Sequence, residues 1–90
     1  MHITKSPNPL KKYRAIFDDG RHTDFGASGY TDYTMGSHDE AKKHAYLARH
    51  RVNEDWTDPR KPGTLSRYIL WNLPSLQDSI ADYKRRFDFK

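Results

Sequence analysis

KKYRAIFDDGRHTDF, residues 11–25, is the stretch whose reading decides the fold. Tyr13, Ala15 and Phe17 alternate with Arg14 and Ile16, the period-two pattern of a strand that turns one face to a core. The run ends at Asp19-Gly20, a strong hairpin signal because glycine supplies the positive φ of a tight turn. With those two residues as the loop, Asp18 faces Arg21, Phe17 faces His22 and Ile16 faces Thr23, which puts His22 on the aromatic face. Gly26, Ala27, Ser28 and Gly29 make a second bend, and YTDYTM, residues 30–35, reads as a third strand with Tyr33 and Met35 on one side. In the other direction, residues 1–10 carry Ser6, Pro7, Asn8 and Pro9 without periodicity and are expected to be a flexible arm, leaving 11–90 as the folded unit.

The remainder is helical in pattern. SHDEAKKHAYLARHRV, residues 37–52, opens with Ser37 three residues before Glu40, a capping box. Ala41, Ala45, Ala48 and Val52 form a narrow stripe of small residues, expected to pack on a neighbour. NEDWTDPRKPG, residues 53–63, is broken by Pro59 and Pro62 and is expected to be an irregular connection pinned by Trp56. Thr64 is expected to cap a short helix, LSRYILWN, that is apolar almost all round and so the most buried element. Ser75 caps the last helix, on which Leu76, Ile80, Tyr83 and Phe87 recur at helical spacing and Lys84, Arg85 and Arg86 sit at the negative end of the dipole. The fold class that follows is α+β: one domain in which a small antiparallel hairpin or three-stranded meander precedes three helices.

Ninety residues allow one domain with a modest core, and six Tyr, four Phe and two Trp supply the buried area that a hydrophobic fraction of 34% otherwise lacks. The absence of cysteine removes disulfides and thiolate metal sites, and points to a reducing compartment. No apolar run approaches membrane-span length and the N-terminus lacks the apolar block of a signal peptide, so no membrane association or secretion is expected. A formal charge of +4 and a pI near 9.4 bias the chain toward polyanions.

Enzymatic motifs fare poorly. TDFGASGYTDYT, residues 23–34, echoes a kinase Asp-Phe-Gly segment, but the length, the Gly-rich loop, the strand lysine and the catalytic loop of a kinase are all wanting. Ser28, Ser66 and Ser75 have no nucleophile-elbow context, and Gly20, Gly26 and Gly29 sit at strand ends, not in a phosphate loop. Glu40 and His44, four apart on one helix face, present two metal ligands, which His22, Asp24 or His38 would have to complete; without such a partner they are a surface pair. His50, Asn53 and Glu54 loosely echo a small nuclease, but a helix C-terminus favours a cationic His50 and a capping Asn53 and accounts for both without catalysis. No catalytic residue, metal or cofactor is therefore assigned.

The basic clusters are the stronger signal: Lys5, Lys11, Lys12 and Arg14; Lys42, Lys43, Arg49 and Arg51; Arg60 and Lys61; Lys84, Arg85 and Arg86. Clusters converging on one face would neutralise several phosphates and give salt-dependent, sequence-independent binding. The aromatics Tyr13, Phe17, Tyr68, Trp71, Tyr83 and Phe87 are needed inside, and only Tyr30 and Tyr33 look spare for stacking or partner contact.

Three long strings, KKYRAIFDDGRHTDFGASGYTDYT (11–34), YLARHRVNEDWTDP (46–59) and GTLSRYILWNLPSLQDSIADYKRRF (63–87), closely resemble a family of small, functionally uncharacterised proteins of large nucleocytoplasmic DNA viruses that infect amoebae and algae. The resemblance covers nearly all of residues 11–87 and implies a viral protein carried in the virion or active in the viral factory, in the host cytoplasm or nucleus. It brings no activity and hence no functional residues. The leading expectation is a non-enzymatic protein that binds nucleic acid, DNA first, through Lys42, Lys43, Arg49, Arg51, Lys84, Arg85 and Arg86. The alternative is an adaptor or structural virion component that meets other virion proteins, or itself as a homodimer, through Tyr30, Tyr33 and the first helix. The third reading is a metal-dependent nuclease built on His22, Asp24, Glu40 and His44.

Overall fold

The computed structural model describes residues 1–36 and 38–90. Three strands, β1 (His2–Lys5), β2 (Lys11–Ile16) and β3 (His22–Ala27), form an antiparallel sheet in the order β1-β2-β3. Three helices follow: α1 (Glu40–His50); α2 (Pro62–Leu65), which runs directly into a π-helical turn (Ser66–Leu70); and α3 (Leu76–Arg86). The α+β class and the single domain read from the sequence are what the chain adopts.

The third strand, however, comes from the N-terminus. Where the sequence suggests an arm, His2–Lys5 pairs with β2 in the register His2↔Ile16 to Lys5↔Tyr13. Met1 is buried in the core and Ile3 packs against it. Residues 30–35 are not a strand. Asp32 accepts hydrogen bonds from the Thr34 amide (2.8 Å) and hydroxyl, folding the segment into a turn, and Tyr33 N–H donates to Leu70 O (3.0 Å). A short acidic side chain that bonds its own backbone two residues on competes with the strand ladder and wins here.

The β2–β3 hairpin closes one residue wider than a two-residue loop would. Phe17 pairs with Arg21 (Phe17 N–H to Arg21 O, 2.9 Å), residues 18–20 make the loop, and Gly20 takes φ +86°. This is the turn-plus-bulge geometry of three-residue hairpins. The shift sets Ile16 opposite His22 and Tyr13 opposite Phe25, so His22 and Asp24 lie on the outer face with Arg14, contrary to the aromatic-face expectation for His22.

The inner face of the sheet, Ala15, Phe17 and Phe25, packs on Leu65, Ile69 and Leu70, and Tyr83 of α3 closes the core from the far side. LSRYILWN is central, as its composition suggests, but Thr64 does not cap it. The helix starts at Pro62 with Lys61 as cap, and Thr64 is fully buried with its hydroxyl donating to Asp55 O (3.2 Å). Proline suits the first helical turn, whose N–H groups have no partner anyway. Ser75 caps α3 by accepting from Asp78 N–H (3.2 Å), as expected. At α1 the cap is Asp39, which accepts from the amides of Ala41 and Lys42; Ser37 and its capping box lie outside the described residues. Among the described residues, no helix is long and apolar enough to cross a membrane.

Candidate nucleic-acid interface

α1 does not dock through its alanines. Ala41, Ala45, Ala48 and Val52 are all exposed, and the buried residue of the helix is Tyr46. Its ring lies between His50 (centroids 4.1 Å apart) and the Trp71 indole (4.6 Å, nearly parallel). An aromatic stack buries far more area per residue than an alanine stripe, which explains the choice. Burial, with Glu54 nearby, pushes the Tyr46 phenol up to about 12. A second attachment is made by Lys43, whose Nζ donates to Asn72 O (2.7 Å) and sits over the Tyr33 ring (4.7 Å). Tyr33 is buried and its hydroxyl donates to Glu40 Oε1 (2.5 Å), a bond that raises the phenol's pKa.

Held in this way, α1 stands off the sheet and leaves a cleft of about 620 Å³. One wall is α1, with Lys42, Ala45, Arg49 and His50. The opposite wall is the end of the β2–β3 hairpin, with Lys11, Lys12, Gly26 and Ala27, continued by Tyr30, Thr31 and Asp32. Pro62, Gly63, Ser66, Leu70 and Trp71 form the floor. Glycine suits position 26: φ +81° strains any other residue, and a Cβ there would come within 2.8 Å of Leu70 Cδ1, so the buried Leu70 side chain on the floor would have to shift. A hollow of about 140 Å³ adjoins the cleft, sharing Thr31, Asp32, Lys42 and Trp71.

Four cations and two carboxylates line the cleft, and they are not equivalent. Lys12 is spent on Asp32: Nζ–Oδ2 is 2.6 Å and the two side chains are 14% and 4% exposed. Glu54 accepts from Trp56 Nε1 (2.9 Å) and lies 3.3 Å from His50 Nδ1. Among the described residues, Lys11, Lys42 and Arg49 make no ion pair, which leaves three cations available to a ligand. Lys42 and Arg49 are seven residues apart on one helix face, about 10 Å along the axis.

The seven basic residues singled out by sequence therefore do not share one site. Lys42 and Arg49 line the cleft, Lys43 fastens α1, and Arg51 caps that helix outside the lining. The α3 cluster is elsewhere: Arg85 and Arg86 reach Asp82 at 3.7 and 3.2 Å, and Arg86 lies over Tyr68 (4.4 Å). Arg67 stacks on the same Tyr68 ring and on Trp56, with its Nε buried and unpartnered, and burial lowers its pKa. Lys11 and Tyr30, which the sequence does not group with the basic residues of α1, join them in the cleft: the hairpin register places Lys11, and the turn after β3 places Tyr30.

The proposed metal ligands stay apart. Glu40 and His44 form an exposed pair at 3.8 Å. Asp24 is held by Arg14 through Nε (2.7 Å) and Nη2 (3.1 Å), and those bonds lower its pKa. Among the described residues no three His, Asp or Glu side chains are grouped to hold an ion. The chemistry on offer is that of cations and ring faces around a concave space.

Residues 1–50 match a family described as a family of unknown function (DUF5754), and the chain belongs to it. That segment spans the sheet and α1, and with them Lys11, Lys12, Tyr30, Lys42 and Arg49. No curated protein and no solved structure matches.

Proposed function

We propose that this member of the family is a non-enzymatic polynucleotide-binding protein that takes phosphate backbones at the mouth of the cleft, without reading base sequence. The observation that carries the reading is the set of three cations, Lys11, Lys42 and Arg49, standing around one concavity without carboxylate partners among the described residues. Long flexible cations suit phosphate oxygens and carry no base information themselves. The α3 cluster does not line the cleft and is left out of the site; within it Arg85 and Arg86 are drawn to Asp82, and Arg86 to Tyr68. On the resemblance carried by the three long strings, the setting we propose is the virion or viral factory of a large DNA virus, with viral DNA as the polyanion.

Fluorescence anisotropy with labelled DNA over a salt series tests this. Three phosphate contacts give a log–log salt slope of roughly −2 to −3, and Lys42→Ala/Arg49→Ala removes about 1.4 to 1.8 of it. Alanine at Lys84, Arg85 and Arg86 changes the slope far less. No binding at low salt, or binding indifferent to salt, refutes the proposal.

The exposed stripe of Ala41, Ala45, Ala48 and Val52 favours a second reading, in which α1 meets a second copy of the chain or another virion protein. Tyr33, being buried, drops out of that surface. A light-scattering mass that stays monomeric at high concentration argues against the homo-oligomer.

A further inference from the structure

Backbone binding leaves open which polynucleotide the cleft is shaped for, and three observations bear on that. A cleft of about 620 Å³ holds nucleotides singly, whereas a duplex, whose grooves alone are about 6 and 12 Å wide, can lie only across its mouth. The adjoining hollow shares Thr31, Asp32, Lys42 and Trp71 with the cleft but adds a second carboxylate, Asp39, so the cations of the concave surface gather in the cleft itself. The third observation is Tyr30. It is 73% exposed, the one Tyr, Phe or Trp among the described residues left mostly in solvent, and it lines the cleft together with Lys11 and Lys42.

We infer that the cleft is a single-strand site in which an unpaired base stacks on the Tyr30 ring while its neighbour enters the cavity beside Trp71. Lys11, Lys42 and Arg49 meet the phosphates between and around those bases. The inference rests on the backbone-binding reading and adds the polymer's state to it. Every base has a π-face, so stacking on tyrosine raises affinity without selecting a sequence. Cations alone would serve single strands and duplexes alike; the exposed ring is what separates them, because in a duplex the base faces are already occupied.

The test compares labelled oligo-dT and oligo-rU strands of about 15 nucleotides with a duplex of the same length, at low salt. Tyr30→Ala and Tyr30→Phe are measured beside the unaltered chain. Tyr30 packs into no core, so both variants are expected to fold, which circular dichroism verifies. The expected result is tighter binding to single strands than to the duplex, lowered about tenfold by Tyr30→Ala, kept by Tyr30→Phe, with duplex binding unmoved by either. A preference within the dT and rU arms supports the site and distinguishes DNA from RNA. Equal affinity for single strand and duplex, or full single-strand affinity in Tyr30→Ala, overturns the inference while salt-dependent backbone binding stands. Absence of binding to all three probes removes both.

Discussion

Asp32→Ala should cost this domain a large share of its stability and at the same time make the cleft a better anion site. Asp32 is 7% exposed and accepts three hydrogen bonds, from Lys12 Nζ at 2.6 Å and from the amide and hydroxyl of Thr34. Removing the carboxylate leaves the Lys12 ammonium, 14% exposed, with the Met35 sulfur at 3.5 Å as its remaining partner among the described residues, and it unties the turn that carries Tyr30 to the cleft. Breaking one side of a buried pair costs about 3–5 kcal/mol. A 90-residue domain holds roughly 5–13 kcal/mol in all. At about 2.1 cal/mol/K per residue the unfolding entropy is near 0.19 kcal/mol/K, so the loss moves Tm down by about 15–25 °C. Lys12→Met/Asp32→Ala removes the orphaned charge and recovers much of that, because two apolar groups in place of a buried pair are often near neutral. Asp32→Asn, which keeps an acceptor for Thr34, frees Lys12 into the cleft and steepens the salt slope by about 0.7–0.9. Urea melts at three salt concentrations, closed into a double-mutant cycle, supply the numbers. A single-variant loss under about 1 kcal/mol, or strictly additive losses in the cycle, would show that the pair is solvated and that Lys12 was available all along.

Two further outcomes follow from buried phenols. Tyr83 is fully buried and its hydroxyl donates to Pro59 O (2.6 Å), so Tyr83→Phe leaves that carbonyl unpaired and lowers stability by about 1–3 kcal/mol; a urea midpoint unchanged within error would contradict the buried bond. Tyr46 has its folded pKa raised to about 12 from an ordinary value near 10, and burial raises Tyr83 in the same direction. A raised folded pKa means that the unfolded chain loses the proton first, so the stability these groups contribute is complete below about pH 10 and is lost as pH rises toward 12. Denaturation midpoints should hold level up to about pH 10 and fall above it, with a shallower fall in Tyr46→Phe; a midpoint indifferent to pH in that range would place the phenol in solvent.

The parts of the fold legible in the sequence are those whose signal is local and repeated. β2 shows its alternation over six residues, and α3 shows a cap, a three-turn apolar stripe and a basic last turn, all of which the structure retains. β1 was illegible because four residues of an edge strand carry too little pattern; what makes HITK a strand is the unpaired edge of β2 beside it. YTDYTM misled for the converse reason. Its alternation is real, yet Asp32 closes a turn on Thr34 and is pinned by Lys12, twenty residues away in sequence, so a tertiary ion pair overrules a local pattern.

The site was legible in kind and not in place, and the reason is register. Charge totals announce an affinity for polyanions, but which cations act together depends on a hairpin loop of three residues instead of two, and on which face of α1 turns inward. The first decides that Asp24 meets Arg14 outside the core; the second turns the alanines to solvent and gives the stack to Tyr46. With Tyr46 against Trp71, Lys42 and Arg49 are carried to the side of α1 that looks across at Lys11, and a lysine from the first sequence cluster joins two residues from the second. Lys43, adjacent to Lys42 in the same cluster, is turned by the 100° step of the helix onto Asn72 and spent there. Neighbours in a basic run are thus divided between cleft and scaffold by helical geometry, and the three cations around the cleft that have no ion-pair partner among the described residues are the part of the +4 balance that the proposed polynucleotide would meet.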